Sequence, residues 1–376
     1  MGPNASRFLT YILLLVPPLV VSFYLLASFP TPPRRLPVPV LPGLASLPPE
    51  SRAREIYPED WVGEGRYAEF PMGRTRYWLA GPDTGKKVVL IHGLSVPALV
   101  WAPLVPQLVA AGHRVLLYDL YGRGYSDAPA GVAYDPQLYV TQLALLLQHV
   151  RWPRARLVGV SMGSAVAAAF VATFPDLVEQ EVVLLASAGL VESTDLPRTA
   201  KVMSTPIVQT LTANPLIYVR YLYARLRPNL LTLTSQAYLR RLASRPDTTH
   251  EASTAWMHEL VRHQSAHLPG FNRAISSSLR TGPVTGMQWA FESGAWAGRR
   301  VLVIHGTTDQ TVPPAHAPRI KALIEAASSP SSSSFNTSKP AQVSVELIAG
   351  AGHALTWTHA EAVGGAVVQF FAGSGS

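Results

Sequence analysis

The run Arg156-Leu-Val-Gly-Val-Ser161-Met-Gly-Ser-Ala-Val-Ala-Ala-Ala-Phe170 constrains this chain more than any other stretch. An apolar, strand-like segment stops at a serine held between Gly159 and Gly163, and a helix-forming run of small residues follows at once. Where a strand turns straight into a helix, backbones meet at the turn, and the flanking glycines remove side chains that would collide there. The residue at the apex is left strained, with its side chain presented outward, as in the G-x-S-x-G nucleophile elbow. Ala165, Ala167, Ala168 and Ala169 then let the helix pack closely on the sheet. The plainer alternative is a tight turn with an incidental serine; the strand before it and the helix after it favour the elbow.

A serine hydroxyl is a weak nucleophile that needs a base, and the base needs an orienting acid. For this strand–turn–helix context the acid and then the histidine come later in the chain. Asp309 follows the apolar run Val301-Leu-Val-Ile-His-Gly306, where an acid sits at a strand's C-terminal edge. His353 lies in Gly350-Ala-Gly-His353, a glycine-rich loop just past the next strand. Each residue alone is a weak signal, but together, in this order at the ends of successive strands, they form a candidate triad with Ser161. A developing oxyanion needs two donors, and backbone N–H groups supply them without reorganisation. Met162, directly after the serine, and Leu94, directly after His92-Gly93, are the candidate pair, with His92 shaping the loop.

Apolar strands and helical segments alternate from about residue 60. Strand readings are 66–70, 75–79, 88–91, 114–119, 156–160, 181–185, 300–304 and 343–348, with helices over 98–111, 136–150 and 162–174. Short buried strands alternating with helices predict an α/β fold, a parallel sheet covered on both faces. The alternation fails between 191 and 290, where helices are expected at 205–227, 234–242, 253–263 and 271–278. That stretch reads as an inserted helical cap. It holds eleven basic against five acidic residues, most of the chain's formal +8. The serine-rich segment 328–340 reads as a surface loop, and no internal repeat is visible.

Five motifs occur in order: Ile91-His92-Gly93, Asp119-Leu-Tyr-Gly122-Arg123-Gly124-Tyr-Ser126-Asp127, Gly159-Val-Ser161-Met-Gly163, His305-Gly306-Thr-Thr-Asp309 and Gly352-His353. In order and spacing, over residues 65 to 372, they resemble the alpha/beta-hydrolase fold. The resemblance implies an eight-stranded, mostly parallel sheet, a helical cap after the sixth strand and a Ser161–Asp309–His353 triad. It also implies that the turn from Asp119 to Asp127 is structural. Epoxide hydrolases and haloalkane dehalogenases of this fold use an elbow aspartate, and Ser161 argues against both. Within the fold, a serine elbow beside a membrane anchor is similar to the monoacylglycerol-lipase-like and carboxylesterase-like serine hydrolases. Bacterial C–C bond hydrolases and perhydrolases share the same motifs.

The anchor is residues 8–28, 21 residues without a formal charge. As a helix rising ~1.5 Å per residue they would span roughly the hydrocarbon thickness, so an N-terminal transmembrane helix is expected. A cleaved signal peptide is the competing reading, and the apolar run is long for one. Arg34 and Arg35 after the span, against Arg7 before it, bias the C-terminal side to the cytosol. The sequon Asn336-Thr337-Ser338 would be used only on the other side. The organisation is thus an anchor over 1–29, a Pro-rich linker over 30–59, a hydrolase core over 60–190 and 291–376, and the cap over 191–290. The linker reads equally as an extended spacer or as an arm packed on the domain.

With no cysteine, disulfides, thiolate metal sites and a cysteine nucleophile are excluded. His250, His258, His263 and His267 show no HExxH pattern, so no metal is expected. Basic residues form no long runs and no nucleic-acid motif occurs, so the expected partners are a small ester or lipid and a membrane. Two-step ester hydrolysis through an acyl-enzyme needs no cofactor. The rivals are a non-catalytic scaffold on the same fold, whose mark would be a missing triad residue, and an acyltransferase using the same triad.

Overall fold

The computed structural model describes residues 14–22, 38–63, 65–192, 251–329 and 339–373. The chain divides into two compact units, Met1–Val38 and Pro39–Ser376. In the first, residues 14–22 are helical, with Leu14, Leu15, Leu19 and Val20 exposed. The rest of the expected span 8–28 lies outside the described residues. Among the described residues, no helix is long and apolar enough to cross a membrane.

The second unit is built on strands β1 (Val40–Leu41), β2 (Gly65–Phe70), β3 (Gly73–Ala80), β4 (Lys86–Ile91), β5 (His113–Tyr118), β6 (Ala128–Pro129), β7 (Ala155–Val160), β8 (Val178–Leu185), β9 (Arg300–Gly306) and β10 (Gln342–Ile348). Eight of them form one sheet in the order β10-β9-β8-β7-β4-β5-β3-β2. From β10 to β5 every pairing is parallel; β3 and β2 join antiparallel. The central strands are apolar runs buried along their length, β7 throughout, as a sheet covered on both faces requires.

The helices are α1 (Arg52–Ile56), α2 (Val105–Ala110), α3 (Pro136–His149), α4 (Met162–Thr173), α5 (Glu251–His267), α6 (Phe271–Arg280), α7 (Gln288–Phe291), α8 (His316–Ala327), α9 (Leu355–Thr358) and α10 (Ala360–Ala372). One core cluster joins the sheet to α3, α4 and α8, the other joins it to α2, α5 and α10. Helix α3 starts where its sequence dictates: Asp135 Oδ1 accepts the Leu138 N–H at 2.9 Å, and Pro136 fills the first helical position. The helix expected over 98–111 is instead a 3₁₀ turn, Ala98–Trp101, followed by α2. Pro103 and Pro106 explain the break, since neither has an N–H to donate to the preceding turn.

One reversal of topology places the site. The chain runs from β4 outward to β5, then returns to β7 on the other side of β4, with Ile91 opposite Gly159. Such a switch opens a crevice at the strands' C-terminal ends. The loops after β4 and β7, His92-Gly93-Leu94 and Ser161-Met162, therefore share it.

Of the insertion expected over 191–290, residues 193–250 lie outside the described residues, with the helices expected at 205–227 and 234–242. The expected helices 253–263 and 271–278 fall within α5 and α6. Residues 39–59 belong to the sheet's own unit. There β1 pairs antiparallel with β6, the Leu44 N–H bonds to Gly124 O at 2.8 Å, and Tyr57 is fully buried. Residues 330–338, which contain the sequon, lie outside the described residues.

Candidate active site

Ser161 sits between β7 and α4 with φ 56° and ψ −120°, a left-handed conformation that a serine adopts only under constraint. The constraint is visible in its neighbours. A Cβ on Gly163 would lie 2.1 Å from Ile91 O, and one on Gly159 would lie 2.4 Å from Gly163 O. Only glycine allows this approach of backbones, so the strand-to-helix turn exists in this form because of those two residues. Ser164 adds a tie that the sequence did not disclose. Its buried hydroxyl lies 2.8 Å from Gly159 O and accepts the Leu185 N–H at 3.1 Å, fastening the elbow to β8.

The three residues expected to act together do meet. His353 Nε2 lies 3.0 Å from Ser161 Oγ, and His353 Nδ1 lies 2.8 Å from Asp309 Oδ2. With Nδ1–H donating to the carboxylate, neutral His353 leaves Nε2 as the acceptor facing the serine. Burial alone would lower the pKa of His353, but the charge and hydrogen bond of Asp309 outweigh it and raise the value above 6.5. Asp309 is 4% exposed, and burial pushes its carboxyl up. The charge of His353, its hydrogen bond, that of His305 and the Val312 N–H prevail and hold the group well below the usual carboxylate range. Asp309 Oδ1 accepts the N–H groups of Thr311 and Val312 at 2.8 and 3.0 Å, so both oxygens are fixed.

The loop after β4 is equally constrained. His92 is fully buried; its Nε2 accepts the Leu120 N–H at 2.9 Å, so its proton is on Nδ1, which lies 2.8 Å from Gly93 O. Burial, with the Arg123 charge in addition, pushes the His92 pKa down to about 3 and keeps the ring neutral. The C=O and N–H of one trans peptide point in opposite directions. By holding Gly93 O, His92 therefore directs the N–H of Leu94 the other way. Met162 opens α4, so its N–H has no acceptor within the helix. A Cβ on Gly93 would come within 3.3 Å of Ser161 Cβ, so a side chain there would crowd Ser161.

Two partners escaped the sequence reading. His305 Nε2 lies 3.3 Å from Asp309 Oδ2 and 3.0 Å from Val312 O, so a second imidazole stands against the carboxylate that His353 approaches. The i, i+4 spacing of His305 and Asp309 was the available signal. Arg123 is fully buried behind the Leu94 loop, with Nε donating to Leu94 O at 2.9 Å. Of the apolar and aromatic residues of the insertion, Ile217, Tyr218, Tyr221 and Tyr223 lie outside the described residues. Trp256 packs on Trp357 with ring centroids 4.6 Å apart, while Trp289 is exposed.

Against this geometry, a model of the alpha/beta hydrolase fold matches residues 86–360. The chain belongs to the alpha/beta hydrolase fold family. Over 251 residues this hydrolase-fold chain is 28% identical to a 2-hydroxy-6-oxo-2,4-heptadienoate hydrolase of Pseudomonas putida, covering 64% of this chain and 78% of that one. It is 27% identical over 300 residues to a haloalkane dehalogenase of Mycolicibacterium paratuberculosis, covering 75% and 88%. The solved enol-lactonase of Burkholderia xenovorans LB400 superposes with a TM-score of 0.59 at 19% identity, covering 82% of this chain and 100% of that one. At that identity the likeness is one of fold.

Proposed function

We propose that the protein is a serine hydrolase of carboxylic esters acting through an acyl-enzyme on Ser161. The observation that carries this reading is the continuous relay Ser161–His353–Asp309 at 3.0 and 2.8 Å, with the serine at positive φ. His353 Nε2 takes the proton from Ser161 Oγ as that oxygen adds to the acyl carbonyl, and Asp309 holds the imidazolium. The N–H groups of Leu94 and Met162 stabilise the oxyanion. The tetrahedral adduct collapses, His353 protonates the departing alcohol, and water activated by the same nitrogen then releases the acid.

The substrate class we favour is lipid or acylglycerol esters, handled by a chain anchored through residues 1–29. Its support is the uncharged stretch 8–28 and the exposed apolar side chains of the helix at 14–22. A second reading is favoured by the similarity to the 2-hydroxy-6-oxo-2,4-heptadienoate hydrolase over 251 residues, which suggests hydrolysis of a 2-hydroxy-6-oxo dienoic acid by the same triad. Monoacylglycerols and p-nitrophenyl esters, assayed beside such a dienoic acid, separate the two. Ester turnover that exceeds dienoate turnover and is abolished by Ser161→Ala is expected; dienoate turnover alone would overturn the ester reading. Competing alcohols in the same assay test transfer in place of hydrolysis. Removal of residues 1–29 is expected to release the protein from a carbonate-washed membrane fraction, and full-length protein already in the supernatant would overturn the anchor.

A further inference from the structure

Three consecutive carbonyls of the loop that carries Leu94 are each held by a different buried side chain. His92 holds Gly93 O at 2.8 Å, Arg123 holds Leu94 O at 2.9 Å, and Gln264 Nε2 lies 3.4 Å from Ser95 O. The first comes from the loop itself and the second from the turn after β5. The third comes from α5, in the segment between β8 and β9.

Arg123 is the centre of this arrangement. It is a fully buried cation. Besides Leu94 O, its Nη1 donates to Tyr121 O at 2.9 Å and to the hydroxyl of Tyr139, and its Nη2 donates to Ser278 Oγ at 2.9 Å. Ser278 belongs to α6, is itself fully buried, and lies 2.8 Å from Tyr139 OH. Tyr134 and Tyr139 face the guanidinium at 5.9 and 5.5 Å from their ring centroids. Among the described residues its hydrogen-bond acceptors are two main-chain carbonyls, a phenol and a hydroxyl, and none is a carboxylate. Burying a charge with neutral partners alone is costly, and an apolar residue could fill the volume. What the guanidinium supplies that an apolar residue cannot is a rigid fork of donors reaching the loop and the insertion helix at once.

From this we infer that Arg123 is a positioning residue: a buried strut through which helix α6, by way of Ser278, fixes the oxyanion loop at Leu94. The inference rests on the serine-hydrolase reading, since it assigns Leu94 N–H to the oxyanion. Seating of α5 and α6 on the turn at 119–127 is then part of what assembles the site, because Gln264 Oε1 also accepts the Gly124 N–H at 2.8 Å. When the strut is intact the Leu94 peptide is preorganised. When it is cut the site keeps Ser161 and His353 in place but the loop loses the aim of one donor.

A trifluoromethyl ketone reads this directly. Ser161 Oγ adds to its carbonyl carbon, the carbonyl π pair moves to oxygen as the oxyanion, and the serine proton passes to His353 Nε2. Wild type, Ser278→Ala, Arg123→Lys and Arg123→Met are compared for inhibitor Ki, kcat and KM on a p-nitrophenyl ester. Removing a whole oxyanion donor costs roughly 10²–10³-fold, so misaiming one is expected to raise Ki and lower kcat about tenfold in Ser278→Ala and Arg123→Lys, with KM within twofold. Arg123→Met is expected to lose more, and if it does not fold, the two milder variants decide alone. Unchanged Ki and kcat in both, or Ki and KM rising together, would overturn the inference. Fluorophosphonate labelling of wild type separates this failure from that of the parent reading: an unlabelled wild type sinks the hydrolase itself, whereas a labelled wild type with unaffected variants sinks only the strut.

Discussion

His305 Nε2 stands 3.3 Å from Asp309 Oδ2, the same oxygen that His353 Nδ1 approaches at 2.8 Å. The Asp309 carboxylate is thus held from two sides, with the Thr311 and Val312 N–H groups on its other oxygen. These donors and the His353 charge hold its carboxyl well below the usual carboxylate range, so it is ionised at neutral pH. Its constant charge is what raises the pKa of His353.

The pH dependence follows from that charge. His353 must be neutral at Nε2 to accept the serine proton, so activity is lost when it is protonated. Because Asp309 raises the pKa of His353, kcat/KM is expected to climb with pH through a midpoint above 6.5. Asp309→Asn removes the raising charge and should move that limb to lower pH, while lowering kcat about 10⁴-fold by favouring the wrong tautomer. A limb that stays in place in the variant would contradict the assigned pair.

The loop after β4 gives a second prediction. His92→Ala frees Gly93 O, and the Leu94 N–H loses its direction. A drop in kcat of about 10²-fold with little change in KM is expected, the size of losing one oxyanion donor. An unaltered kcat would show that the Leu94 peptide is held by other means.

At the elbow, Gly163→Ala places a Cβ 2.1 Å from a backbone oxygen of β4, which cannot move without breaking the sheet. Urea denaturation is expected to show a loss of about 3 kcal/mol or more, above the ordinary range for overpacking. Retained stability would mean that the turn is less tightly built than its distances imply.

The elbow, the triad and the strands were legible because each rests on local pattern: apolar runs, glycines at a turn, an acid and a histidine just past strand ends. The order of those segments also pointed to the α/β architecture. What was not legible depends on contacts between distant segments. Tyr57, in a proline-rich stretch without periodicity, donates to Asp119, a pairing across 62 residues that no local pattern announces. Arg123 reads in sequence as one polar residue of a structural turn; only the fold shows it buried against Leu94 and Ser278. The broken helix at 98–111 was within reach, since Pro103 and Pro106 stand in the sequence.

The arm supplies a further test. Tyr57 OH lies 3.0 and 3.1 Å from the two oxygens of fully buried Asp119, which also accepts the N–H groups of Ala98 and Tyr125. Burial pushes the Asp119 carboxyl up to about 7 against these donors. At a pH well above 7, where the carboxyl is ionised, removing one donor with Tyr57→Phe is expected to cost roughly 2 kcal/mol in urea denaturation, as for a hydrogen bond to a buried charged group, with kcat nearly unchanged. No loss of stability would mean that the arm does not hold the turn.

The central claim is that Ser161 is a working nucleophile served by His353. The direct measurement is labelling of the purified full-length protein with a fluorophosphonate probe, beside Ser161→Ala and His353→Ala. The account predicts rapid labelling of wild type, none in Ser161→Ala and labelling slowed at least 10³-fold in His353→Ala, the scale on which triad members act. A folded wild type that does not label, or a Ser161→Ala variant that labels as fast, would contradict it.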